Sequence, residues 1–184
     1  MKNTLYLLLL AFVLTGCKTD HNGEQDKDHD DPVAAVFEAN SKTVMANLEG
    51  WQNENLDYSM YAGDFYLYET AFSAEKDSLS LEEMKAYDKE MWANYDFKMV
   101  SEAVLLPGVK RASTEPDGSV RHYPVWEVTK PATDSTEART GTIRLYESFD
   151  FNEEGKILRQ QVFGDFTGLM MYLHGEGDMM EQGE

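Results

Sequence analysis

Residues 139–169 have the sequence RTGTIRLYESFDFNEEGKILRQQVFGDFTGL, and this stretch decides the fold. Apolar and polar residues alternate over residues 142–151, which is typical of a strand with one buried face. Residues 152–155, NEEG, then supply a turn, in which Gly155 can take the positive φ that a short hairpin requires. The stretch therefore predicts two long strands joined by one tight turn.

The return strand of this hairpin is predicted over residues 156–166. If the loop has four residues, Phe149 lies opposite Leu158 and Leu145 lies opposite Val162, so the apolar residues of both strands share one face. One carboxylate interrupts the apolar face of the first strand, Glu147. The opposite face carries Arg144, Tyr146, Phe163 and Asp165.

The residues before the hairpin predict helices and further strands. Pro32 is suited to the first position of a helix that follows Asp31 as its N-cap. Ser80 and Glu83 have the spacing of a capping box, which opens another helix. In chain order we predict a helix over 32–51, a short helical piece over 56–62, an aromatic strand over 64–72, a helix over 81–95, and strands over 97–106 and 120–130.

This order of elements predicts the α+β class, with a curved antiparallel sheet wrapped on helices. Residues 32–173 are long enough for one domain with a core of its own. The chain has a single cysteine, so an intrachain disulfide is excluded.

The first residues resemble a bacterial lipoprotein signal. A short basic start precedes the apolar run of residues 5–14, which is too short to span a bilayer. Residues 14–17, LTGC, then resemble a lipobox, in which the cysteine is acylated and becomes the first mature residue. We therefore predict a signal peptide over residues 1–17, a lipid anchor on Cys17 and a place in the cell envelope, at the outer membrane. The sequence leaves the membrane leaflet open.

Two acidic segments flank the predicted domain. Residues 18–31 contain no large apolar residue, which predicts a disordered tether. An acidic segment directly after a lipobox resembles the surface-export signals of lipoproteins in the Bacteroidetes. Residues 174–184 predict an acidic, frayed tail.

The predicted domain resembles the SnoaL-like branch of the nuclear-transport-factor-2-like superfamily. The resemblance rests on the order of elements, on residues 149–157, FDFNEEGKI, and on the Gly-Asp-Phe of residues 164–166. It implies a cone of sheet and helices around a central apolar pocket, often in a homodimer. It does not imply one activity, because the superfamily includes isomerases, dehydratases, cyclases and non-catalytic binding domains.

Enzymes of this superfamily use a carboxylate and an acidic donor in an apolar cavity. By residue type the catalytic candidates are Asp165 as general base, Tyr146 as donor, and Glu147, which needs a partner if it is buried. A structural alternative is that Asp165 caps the turn into residues 167–169. The side chains expected to line the pocket are Tyr66, Tyr68, Trp126, Tyr146 and Phe163.

The remaining sequence patterns give little support to a metalloprotein, a cofactor-dependent enzyme or a nucleic-acid-binding protein. The four histidines show no spacing typical of metal ligands, and no glycine-rich phosphate loop is present, so we predict no metal and no cofactor. A net charge of −18 disfavours binding to nucleic acid. The sequence favours an envelope-anchored, non-catalytic domain that binds a small apolar or amphipathic ligand or a protein. The alternative is a SnoaL-like isomerase, dehydratase or cyclase.

Overall fold

A computed structural model of the chain describes residues 32–72 and 74–176. The elements are α1 (Pro32–Gln52), a 3-10 turn (Tyr58–Met60), β1 (Tyr61–Tyr68), β2 (Ser78–Ser80), α2 (Leu81–Asn94), β3 (Asp96–Met99), β4 (Leu105–Val109), β5 (Pro116–His122), β6 (Val125–Lys130), β7 (Arg139–Arg144), β8 (Tyr146–Phe151), β9 (Ile157–Phe163) and α3 (Phe166–Leu173). The signal peptide, Cys17, the tether and residues 177–184 of the tail lie outside the described residues.

The strands form a six-stranded sheet in the order β2-β1-β9-β8-β5-β4 and a three-stranded sheet in the order β3-β6-β7. Each of the three long strands predicted over 97–106, 120–130 and 142–151 is divided between the two sheets. Backbone hydrogen bonds continue across the division, from Leu145 N–H to the Pro124 carbonyl at 3.0 Å. Pro124 has no N–H to donate, which favours a break in the ladder there. The two sheets are therefore the two arms of one sharply bent surface.

The register predicted for the hairpin is wrong by two residues. Phe149 lies opposite Gln160, and Glu147 lies opposite Val162. Phe151 lies opposite Ile157, so five residues separate the paired ends rather than the four predicted, and the ladder is irregular between Asp150 and Phe151. From Tyr146 to Asp150 the shift of two residues keeps the predicted faces, whereas next to the turn the shift is one residue and Ile157 lies opposite Phe151.

The fold class is confirmed as α+β with a curved sheet, but the sheet is mixed, because β1 pairs with β9 in parallel. Gly155 has the predicted positive φ, 72°. The structure adds one helix that the sequence pattern did not predict, α3, which begins at Phe166, the last residue of the predicted return strand.

The helices cover the inner face of the bent sheet. α1 begins at Pro32 as predicted and packs on β5, where Asn40 Nδ2 donates to the Gly118 carbonyl at 2.9 Å. The Ser80–Glu83 capping box of α2 is present. α3 packs on β7. Within the described residues, no helix is both long enough and apolar enough to cross a membrane.

Candidate functional site

A cavity of about 520 Å³ lies between the inner face of the sheet and the three helices. Its wall is mainly apolar and aromatic. Trp51 of α1 packs edge-on against Phe97 and Trp126, with ring centroids 4.4 Å and 5.6 Å apart. We place its mouth at a group of neighbouring lining residues that are exposed or half-buried: Tyr68, Glu69, Thr70, Ala71, Phe72, Phe166 and Thr167.

Glu147 is a buried carboxylate in the cavity wall, with only 6% of its surface exposed. It lies on β8 directly opposite His122 of β5, and Glu147 Oε2 is 3.5 Å from His122 Nδ1. His122 is 1% exposed. Glu147 Oε2 and both ring nitrogens of His122 lack a hydrogen-bond partner among the described residues, so the 3.5 Å approach is too long or misaligned for a hydrogen bond. Unsatisfied buried polar atoms are uncommon in folded proteins and mark this pair as a candidate site.

Asp88 of α2 is a second buried carboxylate of the wall, and its oxygens are satisfied. Trp51 Nε1 donates to Asp88 Oδ1 at 3.1 Å, and the Tyr58 hydroxyl donates to Asp88 Oδ2 at 2.9 Å. Burial raises the pKa of Asp88, and the two hydrogen bonds only partly oppose that rise. Asp88 therefore ties α1, the 3-10 turn and α2 together.

Tyr61 places one hydroxyl in the cavity wall. Asn47 Nδ2 donates to the Tyr61 hydroxyl oxygen at 2.5 Å, and burial is the main cause that raises the pKa of Tyr61. The hydroxyl therefore keeps its proton at neutral pH. A protonated hydroxyl and the Glu147 carboxylate are among the polar groups that a bound molecule could meet.

The predicted catalytic residues Asp165 and Tyr146 do not meet in the cavity. Asp165 is exposed and caps α3, since its Oδ1 accepts from the Gly168 N–H at 2.9 Å. Tyr146 lies on the outer face of the sheet, with its ring 5.2 Å from that of Tyr123 and 6.1 Å from that of Phe163. Glu147 is the predicted candidate whose side chain borders the cavity.

The side chains predicted to line the pocket divide between the two faces. Trp126 is buried in the cavity wall, and Tyr68 lies at the mouth. Tyr66 pairs with Arg159 on the outer face, where Tyr146 and Phe163 also lie. These outer aromatic side chains are partly exposed to solvent. The homodimer implied by the resemblance stays a prediction.

Sequence reasoning missed Asp88, His122 and Asn47. Asp88 lies one turn from both Met84 and Trp92, on the apolar face of α2, and this spacing was the available signal. The inward alternation of Val120 and His122 could have placed the histidine on the buried face. Nothing in the sequence indicated which carboxylate would lie opposite it.

Comparison with solved structures identifies the fold. A candidate polyketide cyclase from Xanthomonas campestris matches with a TM-score of 0.58 and 14% identity, over 75% of this chain and 98% of that one. The chain has the fold of SnoaL-like and NTF2-like proteins. The resemblance drawn from residues 149–157 is thus confirmed for the fold.

Two structures with the same fold carry other activities in their names. The BvnE pinacolase from Penicillium brevicompactum has a TM-score of 0.57 and 12% identity, over 78% of this chain and 94% of that one. An LEH-like epoxide hydrolase from M. tuberculosis has a TM-score of 0.50 and 13% identity, over 74% and 90%. No protein-family model and no curated protein matches the sequence. At these low identities the structural matches establish the fold alone, because one fold serves many functions.

Proposed function

We propose that the domain binds a small, mainly apolar molecule in the cavity, with a polar group of that molecule at Glu147. The observation that carries this proposal is an apolar cavity of about 520 Å³ with an unsatisfied buried carboxylate in its wall. Sites for small molecules typically combine an apolar wall with a few converging polar groups. A donor from the ligand would satisfy Glu147 and offset part of its desolvation.

A second candidate function is proton transfer, as in an isomerase, dehydratase or cyclase. The observation that favours it is the Glu147–His122 pair, because a carboxylate beside an imidazole can accept a proton from carbon or oxygen. The polyketide cyclase, pinacolase and epoxide hydrolase names among the similar structures agree with such chemistry. In this version Glu147 takes the role first predicted for Asp165, and Tyr61 the role predicted for Tyr146.

The binding proposal is tested with Nile red, a neutral apolar dye whose emission rises when it leaves water. Leu79→Trp adds bulk to the cavity wall, whereas Ser78→Trp adds the same side chain next to it on the other face of β2. We expect Leu79→Trp to weaken dye binding about tenfold, which corresponds to roughly 1.4 kcal/mol. Ser78→Trp should leave the dissociation constant unchanged.

Equal affinities in wild type and Leu79→Trp would place the dye outside the cavity and contradict the proposal. Circular dichroism of both variants checks that they fold.

Proton transfer is tested by deuterium uptake from heavy water at the α-carbon of methyl hexyl ketone. Uptake that depends on the protein and is lost in Glu147→Gln would favour the enzyme over the binding domain.

We further propose that the domain is held at the cell envelope by lipid on Cys17. The lipobox over residues 14–17 supports this location. In the native host, Cys17→Ala should move the protein from the membrane fraction to the soluble fraction, and its mass should lose the lipid. Equal membrane association of the variant would contradict the anchor.

A further inference from the structure

The charged residues of the cavity wall all have the same sign. Among the described residues that line it, the carboxylates are Asp88, Glu147 and Glu69, and neither lysine nor arginine is present. Arg121 and Arg159 belong to the outer face, where both contact the carboxylate of Asp150. The wall therefore has no fixed positive charge to balance its carboxylates.

The partners of these carboxylates do not supply that charge. Asp88 is hydrogen-bonded by two neutral donors, Trp51 and Tyr58. Lys85 of the same helix lies over the Tyr58 ring and also contacts Glu82. Glu69 accepts backbone N–H groups at the mouth. The negative potential thus extends from the mouth to the inner wall.

The inner wall also contains hydrogen-bond acceptors that receive no hydrogen bond from the described residues. Glu147 Oε2 and Gln160 Oε1 are buried atoms that lack a hydrogen-bond partner among the described residues. On one side of Glu147 lies Val162, and on the other lies His122, whose nitrogens are themselves unpartnered. A bound group that only donates hydrogen bonds, and that carries positive charge, complements these acceptors.

We infer that the cavity selects apolar molecules that carry a protonated amine, and that the ammonium group binds Glu147. This inference rests on the binding function proposed above and names its ligand class. The ammonium would donate to the unsatisfied carboxylate in a medium of low dielectric constant, where charges of opposite sign attract more strongly than in water. A ligand carboxylate would meet like charges instead. The net charge of −18 further raises the local concentration of cations around the protein.

Three probes with the same alkyl chain test this selectivity: octylamine, octanol and octanoate. At about pH 7 they carry positive, zero and negative charge, respectively. Binding is followed by calorimetry and by the emission of Trp51 and Trp126, which line the cavity. The protein is the full chain with Cys17→Ser, so that no attached lipid competes. We expect octylamine to bind at least about tenfold more tightly than octanol, and octanoate to bind most weakly.

Glu147→Gln tests the position of the ammonium. The ratio of the octanol and octylamine dissociation constants should fall from about tenfold to near one in this variant. Glu127→Gln removes the same charge from β6, outside the cavity lining, and should leave the ratio unchanged. This control separates a local contact from the effect of net charge.

The outcomes distinguish this inference from the function on which it rests. Binding of octanol without a preference for octylamine, or a preference for octanoate, overturns the amine selectivity and leaves the proposed cavity function intact. A failure of all three probes to bind overturns the cavity function itself. A preference that persists in Glu147→Gln overturns the assignment to this residue. If Glu147→Gln does not fold, Glu147→Asp, which keeps the charge but withdraws the carboxylate by one methylene, tests the assignment: an unchanged ratio in that variant would overturn it.

Discussion

Asp88 and Glu147 are buried to the same degree in the wall of one cavity, with exposures of 4% and 6%, and they differ in their partners. Both oxygens of Asp88 accept a hydrogen bond, whereas Glu147 Oε2 accepts none. Burial alone therefore does not mark a carboxylate as functional. The informative property is the hydrogen-bonding capacity that the fold leaves unused.

The difference follows from the elements that carry the two residues. Asp88 faces Trp51 and Tyr58, which belong to α1 and the 3-10 turn, so its hydrogen bonds connect segments far apart in sequence. Glu147 lies within a strand whose backbone is already paired on both sides, opposite His122 and Val162. The first carboxylate holds the scaffold together, and the second is available to a ligand.

Among the changes that distinguish Asp88 from Glu147, Asp88→Ala is expected to have the largest effect on stability. The change leaves the Trp51 and Tyr58 donors without their acceptor and creates a small void, which should lower the free energy of unfolding by about 2–4 kcal/mol. Urea denaturation measures this change. The matched control is Glu90→Ala, an exposed acidic residue on the same helix, with an expected change within about 0.5 kcal/mol. Equal effects of the two variants would show that the Asp88 network does not stabilise the fold.

A smaller effect is expected in the pH dependence of stability. Burial raises the pKa of Asp88 in the folded protein above its ordinary value of 3.8. The folded state therefore holds this proton more tightly than the unfolded state does. The resulting stabilisation is complete below pH 3.8 and is lost as the pH rises through the folded pKa.

The measurement compares the wild type with Asp88→Asn, which does not titrate. We expect the free energy of unfolding of the wild type to fall relative to that of the variant as the pH is raised from about 3.5 to about 7. The other titrating groups cancel in the difference. A difference between the two free energies of unfolding that stays constant with pH would contradict the raised pKa. A wild type that gains stability relative to the variant as the pH rises would show that the pKa of Asp88 is lowered instead.

The smallest effect on stability is expected from Glu147→Gln. Because Glu147 Oε2 has no hydrogen-bond partner, removing its charge breaks no hydrogen bond at that atom and relieves a desolvation cost. The free energy of unfolding should change by less than about 1 kcal/mol, or increase. Asp88→Asn at the same pH is the isosteric comparison and should cost more. A loss of several kcal/mol in Glu147→Gln would instead make Glu147 part of the scaffold.

Local patterns predicted the elements and the faces of the hairpin. The alternation around Phe149 and the capping box at Ser80 depend on residues within a few positions of one another, so the sequence carries them directly. The register of the hairpin failed because one extra residue at the turn and one irregularity near Asp150 each change every pairing beyond them. Sequence spacing does not show where a ladder gains an extra residue.

The division of three long strands between two arms was also beyond local reasoning. An alternating strand has the same pattern whether it is straight or bent, and Pro124 was the one local sign of a break. The bend is what makes one face concave. Trp126 and Glu147 border the cavity on that concave face, whereas Tyr146 and Phe163 lie on the outer face.

The sequence by itself determined that Glu147 and Tyr146 point to opposite faces, because adjacent residues of a strand always do. It also determined the α+β class, the capped start of α2 and the start of α1 at Pro32. Only the tertiary structure decided which face encloses the cavity, that His122 lies across from Glu147, and that Trp51 and Tyr58 satisfy Asp88. These contacts join residues 25 to 37 positions apart, and a contact at that separation depends on how the sheet bends and where the helices pack, which no local pattern specifies.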